Sequence, residues 1–405
     1  MTKTTTTTIA ALSMLLGAGL ALLPGETLAQ SKEPLKVGAL FTTTGGGAQT
    51  GIAALIGARM AAKEINDAGG ILGRQLVLVQ GDDGADPTAA VAETRRMVQQ
   101  EKVEIMLGPL YSPTAIAAAN AVMKTNTQLT YWSFATSVLI TPQLGPTLFT
   151  YGPNTDAIGD AMADYAVDVR KPKAIAIFSD DVQQSKLQVE RIRARLAQRG
   201  VPVVAEDQFP ANSEDVTPQL LSLRRKGVDF ILMPQTFVKD TGTVLKNIDE
   251  LGWNVDVAGN NGVVISYNVI AKQVGPTAIK RLVAGVGIKP FTACAGDAVG
   301  VSPYAQFLVR LKQFAPTLDP STQVINVIET YDQLYMAKQA AEAVGSTDGV
   351  KMTQWLENNS DKTKPIAAYP RLSPTNHFIA TSESLTMADN LGETRADGMM
   401  RRAGC

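Results

Sequence analysis

The segment Gly108–Asn120, GPLYSPTAIAAAN, places small and hydroxylated residues directly after an apolar run. In this segment Ser112 stands immediately before Pro113. That pairing is typical of a helix start, because serine caps free amides and proline loses no hydrogen bond at the first helical position. Free N–H groups at a helix start also favour an anion. We therefore predict that Ser112 lies at a helix N-terminus and contributes to a carboxylate site.

A second hydroxyl-rich segment, Tyr131–Ser137, follows the next strand candidate and supplies Ser133, the Ala135 N–H and Thr136. Neighbouring parallel strands end at the same edge of a sheet, so the two loops are expected to converge on one anion. The simpler alternative is that Ser112 only caps its helix and that the other hydroxyls only form turns. The residue pattern favours neither interpretation over the other.

Three aromatic residues near strand ends are candidate walls of such a pocket. Tyr111 and Phe134 flank the predicted anion site, and Phe237 follows a later strand candidate. For each of them ordinary packing in the core is the alternative.

Other residues offer little chemistry. His377 is the only histidine, so a Ser-His-Asp set would have to use it, and we predict that it is instead structural or exposed. The glycine-rich segment Thr42–Gly51 lacks the lysine ending of a phosphate loop. The acidic pairs Asp82-Asp83 and Asp180-Asp181 follow strands and suit either loop caps or a cation. We predict no cofactor, no metal and no catalysis.

The N-terminal segment has the composition of a secretory signal. Ile9–Leu23 is almost entirely apolar, and Ala29 provides a small residue for cleavage. The alternative, a membrane anchor, requires an apolar stretch of ~20 residues, which is longer than this one. We predict that residues 1–29 are removed and that the protein is exported.

Charge and cysteine content limit the possible partners. The 37 Lys and Arg residues nearly balance the 38 Asp and Glu residues, so we predict no nucleic-acid partner. Cys294 and Cys405 are the only cysteines. Export would permit a disulfide between them, but the sequence leaves that pairing open.

Strand and helix candidates alternate along the chain in two series. The strand candidates are continuous apolar runs, which indicates parallel strands covered by helices on both faces. Two such series predict an α/β protein with two doubly wound lobes. A long helix candidate, Val327–Gly345, is expected to return to the first lobe. The strand candidates are Leu35–Phe41, Gln75–Gln80, Val103–Leu107, Gln128–Trp132, Lys173–Phe178, Val201–Ala205, Asp229–Met233, Val255–Gly259 and Arg281–Pro290.

Several segments together resemble one family, the solute-binding proteins of ABC transporters for branched-chain amino acids, of the leucine/isoleucine/valine-binding type. The most specific is the block EINDAGGILGR with the acidic turn that follows it. The matching segments are 35–51, Ala61–Asp83, Ala85–Val98, the GPLYSP and SFATS loops, Tyr151–Val167 and Glu329–Gly345.

This resemblance implies a type I periplasmic binding protein. Its two parallel-sheet lobes would be joined by three hinge crossings, with lobe 1 formed by residues 30–152 and 286–362 and lobe 2 by residues 153–285 and 363–405. The ligand would bind in the cleft, and closure would present it to the permease subunits of an ABC transporter in the inner membrane. The protein would be a monomer. By the same resemblance, the ligand carboxylate would be held by Ser112, Ser133, Ala135 and Thr136.

The second lobe departs from the family pattern at the end of two strands. Where the family has a tyrosine in the turn after the aspartate pair, this chain offers Gln184. Where the family has an acid facing the ligand's ammonium, it has Asn260 and Asn261. An amide in place of a carboxylate weakens that bond by ~1–2 kcal/mol. Asp181, or its neighbour Asp180, is the alternative ammonium partner.

The ligand is therefore predicted to be a small carboxylate-bearing solute, either an amino acid or an amine-free aromatic or short acid. A sensory module with the same fold and an exported enzyme are the alternatives from other functional classes.

Overall fold

The structure, a computed structural model, describes residues 33–234, 238–318 and 320–405 together with residues 1, 2 and 4. Apart from those last three residues, the predicted signal segment 1–29 lies outside the described residues, and so does Phe237. No helix in the described part of the chain is both long enough and apolar enough to span a bilayer.

The strands within the described residues form two sheets. The first sheet has five parallel strands in the order β2-β1-β3-β4-β5, and every strand of the predicted first series lies in it. The order reverses between β1 and β3, and at such a switch point loops separate and leave a crevice at the carboxyl edge. Its strands are β1 (Leu35–Phe41), β2 (Leu76–Asp82), β3 (Ile105–Leu107), β4 (Thr130–Ser133) and β5 (Leu148–Thr150).

The second sheet has eight described strands in the order β11-β13-β12-β10-β9-β8-β6-β7. β6 to β10 are parallel, as predicted, but β12 runs antiparallel to both β10 and β13. The strands are β6 (Ile175–Asp180), β7 (Val203–Phe209), β8 (Phe230–Met233), β9 (Asp256–Gly259), β10 (Leu282–Ile288), β11 (Thr292–Ala293), β12 (Leu385–Thr394) and β13 (Met400–Arg402).

The described residues contain twelve α-helices. From β1 to β10 they mostly alternate with the strands, as the sequence predicts, whereas α10 to α12 follow one another between β11 and β12. The helices are α1 (Ala48–Asp67), α2 (Pro87–Arg95), α3 (Ser112–Ala118), α4 (Thr155–Tyr165), α5 (Gln183–Gln198), α6 (Thr217–Arg225), α7 (Val238–Glu250), α8 (Asn261–Ile265), α9 (Tyr267–Ala278), α10 (Pro303–Phe314), α11 (Pro320–Val344) and α12 (Gly349–Asn359).

Local sequence signals set the ends of several of these helices. The Asp86 carboxylate accepts the Ala89 N–H at 2.8 Å ahead of α2, and the Ser302 hydroxyl accepts the Ala305 N–H at 3.0 Å ahead of α10. Gly345, just after α11, has a φ of 66°. Glycine reaches this left-handed conformation without a steric penalty, which suits a helix end.

The long helix α11 packs against α1 of the first sheet's layer, as the sequence predicts. The two helices approach so closely that a Cβ atom at Gly57 would lie 2.1 Å from the Val327 carbonyl oxygen. Only glycine allows this approach. The contact fixes the position of α11 relative to the carboxyl edge of the first sheet.

Chain segments that link the two sheets are joined by hydrogen bonds. Thr150, at the end of β5, donates its N–H to the His377 carbonyl at 3.0 Å. The Tyr151 hydroxyl donates to the buried Asp332 carboxylate at 2.5 Å, and the Ala367 N–H donates to the same carboxylate at 2.9 Å. The segments near residues 151 and 367 are thereby tied to one residue of α11. The lobe boundaries themselves stay predictions.

The lone histidine and the two cysteines are structural. His377 is buried, its ring nitrogens lie 3.0 Å from the Leu148 carbonyl and from Glu357, and it stacks on Phe149. Cys294 and Cys405 form a disulfide that ties the chain end to the segment after β11. Of the two predictions for His377, a structural or an exposed residue, the burial and hydrogen bonds match the structural one.

Candidate functional site

A cavity of about 610 Å³ opens at the carboxyl edge of the first sheet. One wall is formed by the loops after β3 and β4 and by the face of α11 that carries Ile325, Asn326 and Glu329. The opposite wall comes from α8, α9, β10 and the β12–β13 hairpin of the second sheet. The lining is largely apolar, with a few polar groups directed inward, as is usual for a small-molecule site.

The two predicted anion-binding loops do converge. Leu107 at the end of β3 is in register with Trp132 of β4, so the segments that follow leave the sheet side by side. The Ser137 N–H donates to the Ser112 hydroxyl at 3.3 Å, which joins one loop to the other. Ser112 and Thr136 both line the cavity.

The predicted capping role of Ser112 is wrong. Tyr111 occupies the N-cap position, and α3 begins at Ser112 itself, with Pro113 in its first turn. A residue inside the first turn cannot fold its side chain back onto the amides that a cap would satisfy. The Ser112 hydroxyl is therefore directed to the neighbouring loop and the cavity.

Ser133 also differs from its prediction. Its hydroxyl is fully buried, donates to the Pro109 carbonyl at 2.6 Å and accepts the Ala135 N–H at 3.1 Å. Ser133 does not line the cavity. The Ser133 hydroxyl and the Ala135 amide thus satisfy one another and fix the shape of the loop. Ala135 lines the cavity, but its N–H already donates a hydrogen bond to the Ser133 hydroxyl.

Thr136 retains a free hydroxyl. Its side chain lines the cavity and forms no hydrogen bond with any described residue, while its carbonyl accepts the Thr155 hydroxyl at 3.3 Å. An unpaired, partly buried donor beside a cavity favours a ligand that accepts a hydrogen bond. Of the four residues predicted to hold the carboxylate, Thr136 has the geometry that fits this role best.

The predicted aromatic walls Tyr111 and Phe134 line the cavity. The Tyr111 ring is supported from behind by the glycine-rich loop, where a Cβ atom at Gly47 would lie 2.8 Å from the Tyr111 hydroxyl. The bare backbone of this loop therefore makes room for a pocket wall.

On the side of the second sheet, Asn261 lines the cavity at the start of α8, but Asn260 does not. Asn260 is buried and its side chain accepts the Gly262 N–H at 2.8 Å, so it caps α8. Asp181 is exposed, lies outside the cavity lining and accepts the Ala211 N–H at 3.0 Å. Gln184 belongs to the first turn of α5, and its side chain lies outside the described part of the structure. Asn260 and Asp181 therefore do not line this cavity, and their predicted contact with a ligand stays a prediction.

The first acidic pair, Asp82-Asp83, caps its loop. Burial alone would raise the pKa of Asp82, but hydrogen bonds from Gly84, Thr44 and Thr43 lower it to about 2. Its partner Asp83 accepts the Thr42 hydroxyl at 2.5 Å. Within the described ranges, no group of three or more His, Cys, Asp or Glu residues could hold a metal ion.

Sequence reasoning missed one functional candidate, Glu329 of α11. It is 6% exposed, lines the cavity and has no hydrogen bond to any described residue. Burial, and next the charge of Asp332, raise the pKa of Glu329 to about 8. The signal was present in the helical periodicity, which puts Glu329 on the same face as Ile325 and Asp332 of a helix that is otherwise largely buried.

Comparison with known proteins shows the family of this chain. A family model described as a periplasmic binding protein matches residues 34–388. The chain belongs to the periplasmic binding protein family. Its relatives include an amino acid binding protein from Pseudomonas aeruginosa, which is 24% identical over 328 residues that cover 81% of this chain and 83% of the relative. A Leu/Ile/Val-binding protein from Citrobacter freundii is 28% identical over 258 residues, covering 63% and 69% of the two chains.

Solved structures share the fold of this periplasmic binding protein. A type 1 periplasmic binding protein from Bordetella pertussis superposes with a TM-score of 0.71 at 20% identity, covering 91% of this chain and 99% of that one. The branched-chain amino acid transporter substrate binding protein LivJ from Streptococcus pneumoniae, solved in complex with isoleucine, gives 0.66 at 21% identity, covering 91% and 98%. The predicted family and the type I fold are confirmed.

Proposed function

We propose that this protein captures a small carboxylate-bearing solute, an amino acid or a related acid, in its cavity and delivers it to the permease subunits of an ABC importer in the inner membrane. It would act in the periplasm as a monomer, after residues 1–29 had served as an export signal. Its activity would be binding, without chemical change of the ligand.

The observation that carries this proposal is a cavity lined from both sheets, with the hydroxyls of Ser112 and Thr136 on one wall. A carboxylate bound there would accept from hydroxyls in a largely apolar setting, where such charge-assisted bonds are strongest. The names of the relatives add support, since one is an amino acid binding protein and another a Leu/Ile/Val-binding protein.

The first experiment is a thermal-shift screen of the purified protein. The panel pairs amino acids with amine-free counterparts, for example leucine with 4-methylpentanoic acid and phenylalanine with 3-phenylpropanoic acid. A ligand present at one hundred times its Kd stabilises the native state by about 2.7 kcal/mol. A panel that shifts no transition would contradict the proposal.

The site itself is tested with the double variant Ser112→Ala/Thr136→Ala. Each hydrogen bond to a charged group contributes about 1.5–3 kcal/mol, so calorimetry should show at least about a hundredfold loss of affinity. The empty variant should melt close to the wild type, because the native structure loses only one long hydrogen bond, from Ser137.

The matched control is Ser373→Ala/Thr375→Ala. The hydroxyl groups of these two residues form a hydrogen bond at 3.2 Å, and neither residue belongs to the cavity lining. This control should bind as the wild type does. Unchanged affinity in Ser112→Ala/Thr136→Ala would show that the carboxylate binds elsewhere.

A further inference from the structure

We infer that Glu329 binds a positively charged group of the ligand, so that the cavity is built for a molecule carrying both an ammonium and a carboxylate. The inference rests on the proposed function and deepens it by choosing the amino acid over the amine-free acid. Departures from the family pattern in the second lobe left that choice open. The first-sheet side of the cavity supplies a carboxylate of its own.

The charges on the cavity wall give the first argument. Among the described residues that line the cavity, Glu329 is the only Asp or Glu, and none is Lys, Arg or His. A carboxylate without a cationic neighbour, buried and unpaired, is unfavourable unless something neutralises it. Neither a salt bridge nor a hydrogen bond to a described residue does so. Among the described residues of the lining, Glu329 is therefore the one group that could pair with a cation, and a cationic ligand group would stabilise its charged form.

The position of Glu329 relative to the anion loops gives the second argument. Gln333, one helical turn further along α11, donates its side-chain amide to the Ser133 carbonyl at 2.7 Å. Residues four apart share a helix face, and four residues span about 6 Å. Glu329 thus lies about one turn from the loop that carries Thr136. A ligand whose ammonium and carboxylate are a few ångströms apart could reach both groups.

The alternatives for an ammonium partner are weaker. Asp181 accepts the Ala211 N–H outside the cavity, and Asn260 caps α8. Asn261 faces the cavity but offers only a neutral amide. Asp332, the other acid on this part of α11, already accepts the Tyr151 hydroxyl and the Ala367 N–H.

The decisive experiment compares ligand pairs in the wild type and in Glu329→Gln by calorimetry. The probes are leucine, isoleucine, valine and phenylalanine, with 4-methylpentanoic and 3-phenylpropanoic acids as amine-free counterparts. Glu329→Gln keeps the shape of the side chain and removes its charge. It should weaken amino acid binding at least about tenfold, because the ammonium loses a buried charged partner. It should leave the affinity for the amine-free acids unchanged or improve it.

The control variant is Glu342→Gln. Glu342 lies on the same helix, pairs with Lys338 on the surface and does not line the cavity. It removes the same charge and should not change any affinity. The melting temperature of empty Glu329→Gln should equal or exceed that of the wild type. A purely structural role for Glu329 would lower it.

Proton release on binding gives an independent readout. In the empty cavity, burial and the charge of Asp332 raise the pKa of Glu329 to about 8, so the group is mostly protonated at pH 7. An arriving ammonium favours the carboxylate, so close to one proton should be released per amino acid bound. Calorimetry at pH 7 in buffers of different ionisation enthalpy measures this number. Asp332 is the other titratable group whose charge acts on Glu329, and Tyr111, Tyr267 and Tyr304 are the phenols of the cavity lining.

The outcomes separate this inference from the proposed function. If amino acids bind equally well to the wild type and to Glu329→Gln, or if the wild type binds only the amine-free acids, the role of Glu329 is wrong while solute capture stands. If the wild type binds neither class, the proposed function fails and the inference fails with it.

Discussion

At the residue scale, the buried carboxyl groups of Glu329 and Asp332 lower the free energy of unfolding of the empty protein when they ionise. Both are buried on α11, and burial raises the pKa of Glu329 to about 8 and that of Asp332 to about 7. The native state therefore holds protons that the unfolded chain releases near pH 4. A state that binds more protons loses stability as pH rises, so the free energy of unfolding should fall between about pH 4 and pH 8.

Replacing Glu329 with glutamine should remove one of these two proton sites. Thermal melts of the empty protein should show a small difference between Glu329→Gln and the wild type at pH 5. At pH 8 the variant should be more stable by on the order of 1–3 kcal/mol. The variant Glu342→Gln should show no such growth with pH. If the difference in stability between the wild type and Glu329→Gln were the same at pH 8 as at pH 5, the Glu329 carboxylate would have to be solvated.

The residue scale also shows what local sequence can reveal about a site. Ser112, Thr136, Tyr111 and Phe134 were predicted from hydroxyl-rich loops after strands, and all four line the cavity. Ser133 was predicted on the same grounds, yet its hydroxyl forms hydrogen bonds with the backbone of Pro109 and Ala135. A sequence reports that a hydroxyl is present. Whether that hydroxyl stays available to a ligand depends on whether a backbone carbonyl of the folded protein lies close enough to accept its hydrogen bond.

At the scale of elements, the contact between α1 and α11 positions the cavity wall. Gly57 allows the two helices to touch through their backbones, at the Val327 carbonyl, two residues before Glu329. A side chain at this position has to push α11 outward, because the obstacle is backbone and cannot rotate away.

The variant Gly57→Ala should therefore lose stability and binding together. The expected loss in the free energy of unfolding is about 1–3 kcal/mol, since overpacking shifts backbone and neighbouring side chains. Ligand affinity should fall as well, because α11 carries Glu329, Asn326 and Ile325 into the cavity.

Denaturant unfolding and calorimetry measure the two effects of Gly57→Ala. The control is Gly296→Ala, where an added Cβ would meet nothing within 4 Å. Full stability and full affinity in Gly57→Ala would show that the helix pair adjusts freely.

Elements were predictable where their sequence is apolar throughout. Leu35–Phe41 was predicted with the bounds that β1 has, and the buried strands β6, β8, β9 and β10 begin and end within two residues or so of their predicted runs. β12 and β13 were not predicted. The far half of β12 is largely exposed, so its sequence carries polar residues and no continuous apolar run. Its antiparallel direction depends on how the chain returns to the second sheet, which no local pattern encodes.

At the scale of the whole molecule, two segments that link the sheets form hydrogen bonds with the same residue, Asp332. Asp332 binds the Tyr151 hydroxyl near one linking segment and the Ala367 N–H near another. Asp332 lies three residues after Glu329 on the helix that lines the cavity. The same short part of α11 therefore contacts the linking segments and the proposed ammonium site. Such an arrangement depends on contacts between residues distant in sequence, so only the structure could reveal it.

A ligand can close two lobes only by contacting the closed state better than the open one. The cavity is lined by groups from both sheets, so a bound amino acid would gain second-sheet contacts, such as Asn261, on closure. Small-angle scattering should then show a smaller radius of gyration when the wild type is saturated with the amino acid that gives the largest thermal shift. The variant Ser112→Ala/Thr136→Ala, given the same concentration, should keep the radius of the empty protein. Calorimetric binding to the wild type without any contraction would mean that the ligand enters a cavity that is already closed around it.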